Sequence, residues 1–326
     1  MADAQNLSNP DPNSRSAIDP AALMRIKSLQ LRAKLVVDGF MSGLHRSPMH
    51  GSSVEFNEYR PYSPGDDLRN LDWKLYARSD RYFIKKFEDE TNRRCYLVVD
   101  QSKSMGYQSL EYTKAEYART VAATLGYFLT LQRDAIGLLT FDEGIGEFIP
   151  ARTRPGQFHQ ILVGLSKPVR GTGTDLNLPL QQIAALIPRR GLVILISDLL
   201  APVDSLQQNL AALRSRGHEV VVLRTLDPAE IELHLKAPSM VVDVETNREI
   251  YLYPEVARAQ YRKQFDEHHT QVQQTCDALG VQMFRLVTDE ALDNALLSIV
   301  DTQNRLGKSA ARGGMLAGAA RMRGSK

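Results

Sequence analysis

Cysteine is scarce: Cys95 and Cys276 are the only two in 326 residues. So few, and so far apart, they exclude the disulfide framework that staples small secreted domains. Cys95 opens an apolar run, which predicts a buried thiol and fits a reducing cytoplasm. Long hydrophobic runs are also missing. The best of them, Leu192–Ile196, is strand-length, whereas a bilayer-spanning helix needs roughly 20 apolar residues. Residues 1–16 are polar and lack the apolar stretch of a signal peptide. The expectation is a soluble, cytosolic protein with no membrane span of its own. Neither sign of charge dominates. Forty Lys and Arg stand against 38 Asp and Glu, a formal net charge of +2. A dedicated nucleic-acid binder would show a concentrated basic face, so nucleic acid is not expected as a partner.

Nucleotide and nucleophile signatures are absent too. Gly307-Lys308-Ser309 looks like the end of a phosphate-binding loop, but Thr302 stands where its first glycine is required. Gly171-Thr172-Gly173 lacks the third glycine of a dinucleotide fingerprint and follows no clear strand. No Ser-His-Asp arrangement is recognisable from spacing. His268 and His269 are adjacent on a predicted helix. Adjacent helical residues face about 100° apart, so the pair is poorly placed to share a metal and is expected on a solvated face. His45 and His50 flank a proline-containing loop without Cys or carboxylates at metal spacing.

What is present is an ordinary globular composition, 43% hydrophobic and 24% charged, on a chain long enough to bury a substantial core. From Asp19-Pro20, a cap and first helical position, apolar spacing predicts one helix up to Gly39. Tyr82–Glu88 reads as a strand. Beyond residue 90, strands alternate with helices. Strands are expected at Tyr96–Val99, Ala135–Phe141, Leu192–Ile196, Glu219–Arg224 and Gln282–Leu286, with an edge partner at Gly146–Ile149. Helices are expected at Thr113–Leu131, Gln157–Leu165, Leu178–Ile187, Leu206–Ser215, Pro254–Leu279 and Glu290–Arg305, and a hairpin at Val241–Leu252. This alternation argues for an α/β fold with a doubly wound, mostly parallel sheet. The expected division is a disordered tail over 1–18, a helix and extension packed on the main domain over 19–90, the main domain over 91–306, and a disordered basic tail over 307–326.

The densest chemistry lies where the first core strand ends, at Val98-Val99-Asp100-Gln101-Ser102-Lys103-Ser104. Asp-x-Ser-x-Ser puts a carboxylate and two hydroxyls on one tight loop. These are hard oxygen ligands, suited to Mg²⁺ or Mn²⁺. Gly171-Thr172-Gly173-Thr174-Asp175 follows as a hydroxyl-bearing loop, and Leu192–Ser197 runs into Asp198. The three pieces, in this order, resemble the metal-ion-dependent adhesion site of von Willebrand factor A domains. That resemblance implies a metal held by Asp100, Ser102, Ser104, Thr174 (Thr172 being the less favoured choice) and Asp198. It also implies one position left open for a partner's carboxylate.

Residues 43–90 carry a second series: Glu55-Phe56, Arg60-Pro61-Tyr62, Pro64-Gly65-Asp66-Asp67, Arg69 to Trp73, and Ala77-Arg78. It closely resembles the bacterial family known as domain of unknown function 58, over about residues 43–306. Members of that family carry the series before a von Willebrand factor A-like domain and are commonly associated with MoxR-type AAA+ ATPases. The implied function is a non-enzymatic, chaperone-like interaction module, working with such an ATPase on protein clients. The alternative is a metal-dependent hydrolase using the same cleft. Asp66 and Asp67 sit in a standard turn sequence, so the charged residues here are expected to be structural or partner-binding rather than catalytic. Trp73 is expected to be buried, with Arg60 and Arg69 held by carboxylates.

Overall fold

The computed structural model describes residues 18–46, 59–61, 82–85, 93–167, 177–233, 237–242, 249–297 and 300. Helix α1 spans Pro20–Met24, with the Asp19 carboxylate accepting from the Ala21 and Ala22 amides. The single helix expected to run on to Gly39 is in fact two. The chain breaks after α1 and resumes as α2, Leu29–Arg46. The cause is local. The Ser28 hydroxyl accepts from the Leu31 amide and caps a new start. The Arg32 guanidinium reaches back and donates to the carbonyls of Met24 at 2.6 Å and Ile26 at 2.5 Å. Those carbonyls therefore need no continuing helix.

Short strands β1, Tyr59–Pro61, and β2, Phe83–Lys85, pair antiparallel. The main sheet begins with β3, Arg94–Asp100, followed by α3, Lys114–Leu131. Thr113 and Glu116 cap α3 reciprocally. Next come β4, Ala135–Phe141, β5, Ile145–Arg152, α4, Gln157–Leu165, α5, Asn177–Leu186, and β6, Leu192–Ser197. The chain continues with α6, Val203–Ser215, β7, Glu219–Leu226, and α7, Pro228–Glu232. A hairpin of β8, Ser239–Val242, and β9, Glu249–Leu252, precedes α8, Pro254–Ala278, and β10, Gln282–Val287. Residues 293–297 are helical, and the rest of the last predicted helix, apart from residue 300, lies outside the described residues.

The six main strands lie in the order β10-β7-β6-β3-β4-β5, parallel except for the β4–β5 pair. This is the expected doubly wound α/β architecture. Strand alternation feeds two cores. Cys95, Leu97 and Val99 join Val36, Phe40, Val121, Leu125 and Ile161 on the side of α2, α3 and α4. Tyr96 and Val98 join Ile183, Leu210 and Val272 on the side of α5, α6 and α8. A sheet covered on both faces must be apolar at nearly every position, as β3, β4 and β6 are. Both cysteines are buried free thiols, and burial pushes the Cys95 thiol far up.

Gly137 is required where β5 crosses β4 at a register shift. A Cβ there would stand 2.7 Å from the Ile149 carbonyl oxygen and 2.8 Å from the Ala151 nitrogen. The winding direction fixes the site. From β3 the chain steps outward through β4 and β5, then returns to place β6 on β3's other edge. Such a reversal opens a crevice at the strands' carboxyl ends, the usual ligand position in open α/β sheets.

Candidate functional site

Asp100 and Asp198 stand at the ends of the two strands that flank this reversal, and both are fully buried. Val99 is in register with Ile196, so Asp100 and Ser197 leave the sheet side by side. The Ser197 hydroxyl donates to Asp100 Oδ2 at 2.5 Å, and the Ser102 amide donates to Asp100 Oδ1 at 2.8 Å. Ser102 leads into a 3₁₀ turn over Lys103–Gly106. That turn brings the Ser102 and Ser104 hydroxyls within 3.1 Å of each other. Asp198 is held by the next turn, where the Leu200 amide donates to its Oδ1 at 3.3 Å. Leu199, between them, has φ +53°. A left-handed backbone at a non-glycine residue costs about 1–2 kcal/mol, and such strain clusters at functional sites.

Lys114 completes the arrangement. Its ammonium donates to Asp198 Oδ2 at 2.7 Å and to Glu230 Oε1 at 2.6 Å. The Lys114 and Asp198 side chains are both fully buried. Glu230 is held in turn by the capping box of α7, where its carboxylate accepts from the Asp227 amide. Asp227 also accepts from the Ser109 amide and hydroxyl, tying the loop after β3 to the end of β7. Behind Asp198, the buried Arg224 donates through Nε to the Asp198 carbonyl at 3.1 Å.

Arg224 also corrects the expectation for the histidine pair. His268 and His269 do not lie on a solvated face. Both are half-buried, with their Nδ1 atoms 3.2 and 2.9 Å from the Arg224 guanidinium nitrogens. Arginine only donates, so both Nδ1 atoms accept and both rings are neutral there. Burial, and then the Arg224 charge, lowers the pKa of His268, and the same two causes lower that of His269. The Phe265 ring lies 5.5 Å from the guanidinium carbon. A buried arginine recruits acceptors from the helix packed over it, which the helix's own polar sequence does not reveal.

The electrostatics are lopsided. Asp198 has Lys114, but among the described residues no cation pairs with Asp100. Burial, and then the neighbouring Asp198 charge, push the Asp100 carboxyl up to about 7, against the pull of the Ser197 and Ser102 hydrogen bonds. Burial disfavours the Lys114 ammonium, but Asp198 and Glu230 outweigh it and its pKa ends above the ordinary value. An uncompensated buried carboxylate beside a second one is the environment a divalent ion relieves. The hydroxyls suit the same ion. Cis ligands of an octahedral Mg²⁺ at about 2.1 Å stand roughly 3.0 Å apart, close to the Ser102–Ser104 separation of 3.1 Å. Among the described residues, no group of three or more His, Cys, Asp or Glu could hold a metal. A metal here would therefore rely on the serine hydroxyls as much as on Asp100 and Asp198.

Of the sequence-predicted ligands, Asp100, Ser102, Ser104 and Asp198 come together at this end of the sheet. Thr174 and Thr172 lie outside the described residues, as do Trp73, Arg69, Asp66 and Asp67. Arg60 stands in β1 opposite Ile84. The sequence reading missed Ser197, Lys114, Glu230 and Arg224. Lys114 left a signal: a lysine at the first position of a helix sits at the wrong end of the helix dipole. Asp227-Pro228-x-Glu230 is likewise a legible helix start.

The model for "Protein of unknown function DUF58" matches residues 58–275. The chain belongs to the DUF58 family. The relatives of this DUF58 protein include the Mycobacterium tuberculosis "Uncharacterized protein Rv1480", 28% identical over 276 residues, which are 83% of this chain and 86% of that one. Bacillus subtilis YeaD is 31% identical over 94 residues, 29% of this chain and 23% of its own. Similar solved structures include an aerotolerance-related membrane protein from Bacteroides fragilis, with TM-score 0.45, 15% identity, and coverage of 64% of this chain and 99% of that one. BatB from Bacteroides thetaiotaomicron has TM-score 0.40 and 14% identity over the same shares. The SpRpn10 VWA domain has TM-score 0.39 and 10% identity, covering 63% of this chain and 93% of its own. Among the described residues, no helix is long and apolar enough to cross a membrane.

Proposed function

We propose that this DUF58 protein is a non-enzymatic, cytosolic interaction module whose docking site is completed by Mg²⁺ or Mn²⁺. Asp100, Ser102, Ser104 and Asp198 would hold the ion, with Thr174 as a further ligand. One observation carries the reading: Asp100 is buried beside Asp198 with no cation paired to it among the described residues, next to the mutually hydrogen-bonded hydroxyls of Ser102 and Ser104. A divalent ion held by a few protein oxygens keeps water in its other positions. A partner's Asp or Glu can replace such a water, so docking depends on metal and can be switched. The same end of the sheet leads from β7 through α7 into the β8–β9 hairpin. There Met240, Val242 and Tyr251 are exposed on one face of the hairpin. Exposed apolar clusters of this kind mark contact surfaces.

The partner we favour is a MoxR-type AAA+ ATPase acting in protein assembly or maturation, a choice that rests on the family resemblance. The test is association of the purified chain with that ATPase, in wild type and Asp100→Ala, each with and without EDTA. Both treatments should weaken binding to a similar extent, and their effects should not add, because both remove one interaction. Full association in EDTA would contradict metal-mediated docking.

A further inference from the structure

The metal reading leaves Lys114 without a role, yet it is among the largest fully buried side chains and bonds directly to a proposed ligand. Resting on that reading, we propose that Lys114 is a built-in competitor of the divalent ion. It sets the affinity of the site for metal and leaves the filled site positive enough to attract a carboxylate. The charges decide this. Asp100 lies beside Asp198, and Asp198 and Glu230 share the Lys114 ammonium and feel the Arg224 charge, a set of five groups apart from Asp227, which the Ser109 amide and hydroxyl hold. With Asp100 ionised, the set carries one net negative charge. A divalent ion turns that into one net positive charge, which a partner's carboxylate neutralises. Without Lys114 the filled site would already be neutral. It would hold metal more tightly and have less pull on an incoming anion.

Glu230 enters with the opposite sign. It shares the Lys114 ammonium with Asp198, at 2.6 Å against 2.7 Å. Removing its charge leaves Lys114 wholly to Asp198 and takes one anion away from the metal. The two residues therefore tune the site in opposite directions. A merely structural role would not do this: loosening Asp198 by either change would weaken metal binding in both.

The test is calorimetric titration of Mn²⁺ into the full chain as wild type, Lys114→Met and Glu230→Gln. Lys114→Met should bind roughly tenfold more tightly or better, and Glu230→Gln roughly tenfold more weakly. Equal or weaker binding by folded Lys114→Met overturns the proposal, as does unchanged or tighter binding by Glu230→Gln. Should Lys114→Met fail to fold, Lys114→Gln decides in its place, because the amide keeps a hydrogen-bond donor for Asp198 without the charge and tighter binding is again expected. A wild type that takes no Mn²⁺ removes the metal reading and this inference together. A wild type that binds while both variants match it overturns only the role of Lys114.

Discussion

At the residue scale, the site is a charge problem solved in two halves. Asp198 is neutralised by Lys114, and Asp100 is not neutralised by anything described. The first half predicts a stability cost. Lys114→Ala leaves Asp198 and Glu230 buried without their cation, which should cost about 3–5 kcal/mol in denaturant unfolding; a loss below about 1 kcal/mol would show the pair to be well solvated. The second half predicts a pH dependence. A carboxyl raised in the fold to about 7 from an unfolded value of about 3.9 opposes folding once it ionises. The stability it contributes is present at acid pH and is lost as pH rises through that window. Metal-free Asp100→Asn should therefore melt above metal-free wild type at pH 8 and close to it at pH 4; a lower melting temperature at pH 8 would contradict this. That Asp100, Ser102 and Ser104 share a loop at a strand end was legible because Asp-x-Ser-x-Ser after an apolar run is a local pattern, and Asp198 was legible as the end of a second apolar strand. Lys114 and Glu230 were not, because they are 116 residues apart and meet only when β3 and β7 close on β6. Ser197 was hidden differently: only the β3–β6 register places it beside Asp100.

At the element scale, periodicity recovered most of the fold. β4 and α4 fall where apolar spacing put them, and α3, α8 and β10 differ by a residue or so. The failures have specific causes. The first helix splits because Ser28 caps and Arg32 binds carbonyls, interactions that leave the apolar spacing undisturbed. Arg224 continues β7 into the site, and there the histidines of α8 serve it rather than solvent. Helix α2 covers α3 through Phe40, whose ring meets Phe128 edge-on at 6.1 Å. Phe40→Ala should cost about 3–5 kcal/mol, as other large-to-small core changes do; an unchanged denaturant midpoint would show that α2 is not part of the cooperative core. Gly137→Ala should destabilise by about 1–3 kcal/mol, since backbone rather than a movable side chain blocks the new methyl. Free accommodation of alanine would mean that the β4–β5 crossing is looser than its 2.7 Å approach.

At the scale of the whole molecule, topology converts two distant sequence motifs into one site. The reversal between β3 and β6 puts Asp100 and Asp198 at adjacent strand ends, and the two cores fix those strands on both faces. The proposed ATPase partner and client lie beyond what a single chain's packing encodes, because they depend on surfaces of other molecules. The proposed metal does not, since the protein oxygens that would hold it are all in this chain. The most direct measurement is therefore Mn²⁺ titration of metal-free wild type and Asp100→Ala by calorimetry at pH 8. One ion should bind the wild type. At a free-ion concentration 100-fold above its dissociation constant, that ion should stabilise the fold by about 2.7 kcal/mol. Asp100→Ala should stay folded and take up no ion at the site. Equal affinity in the two proteins, or none in the wild type, would contradict the metal site.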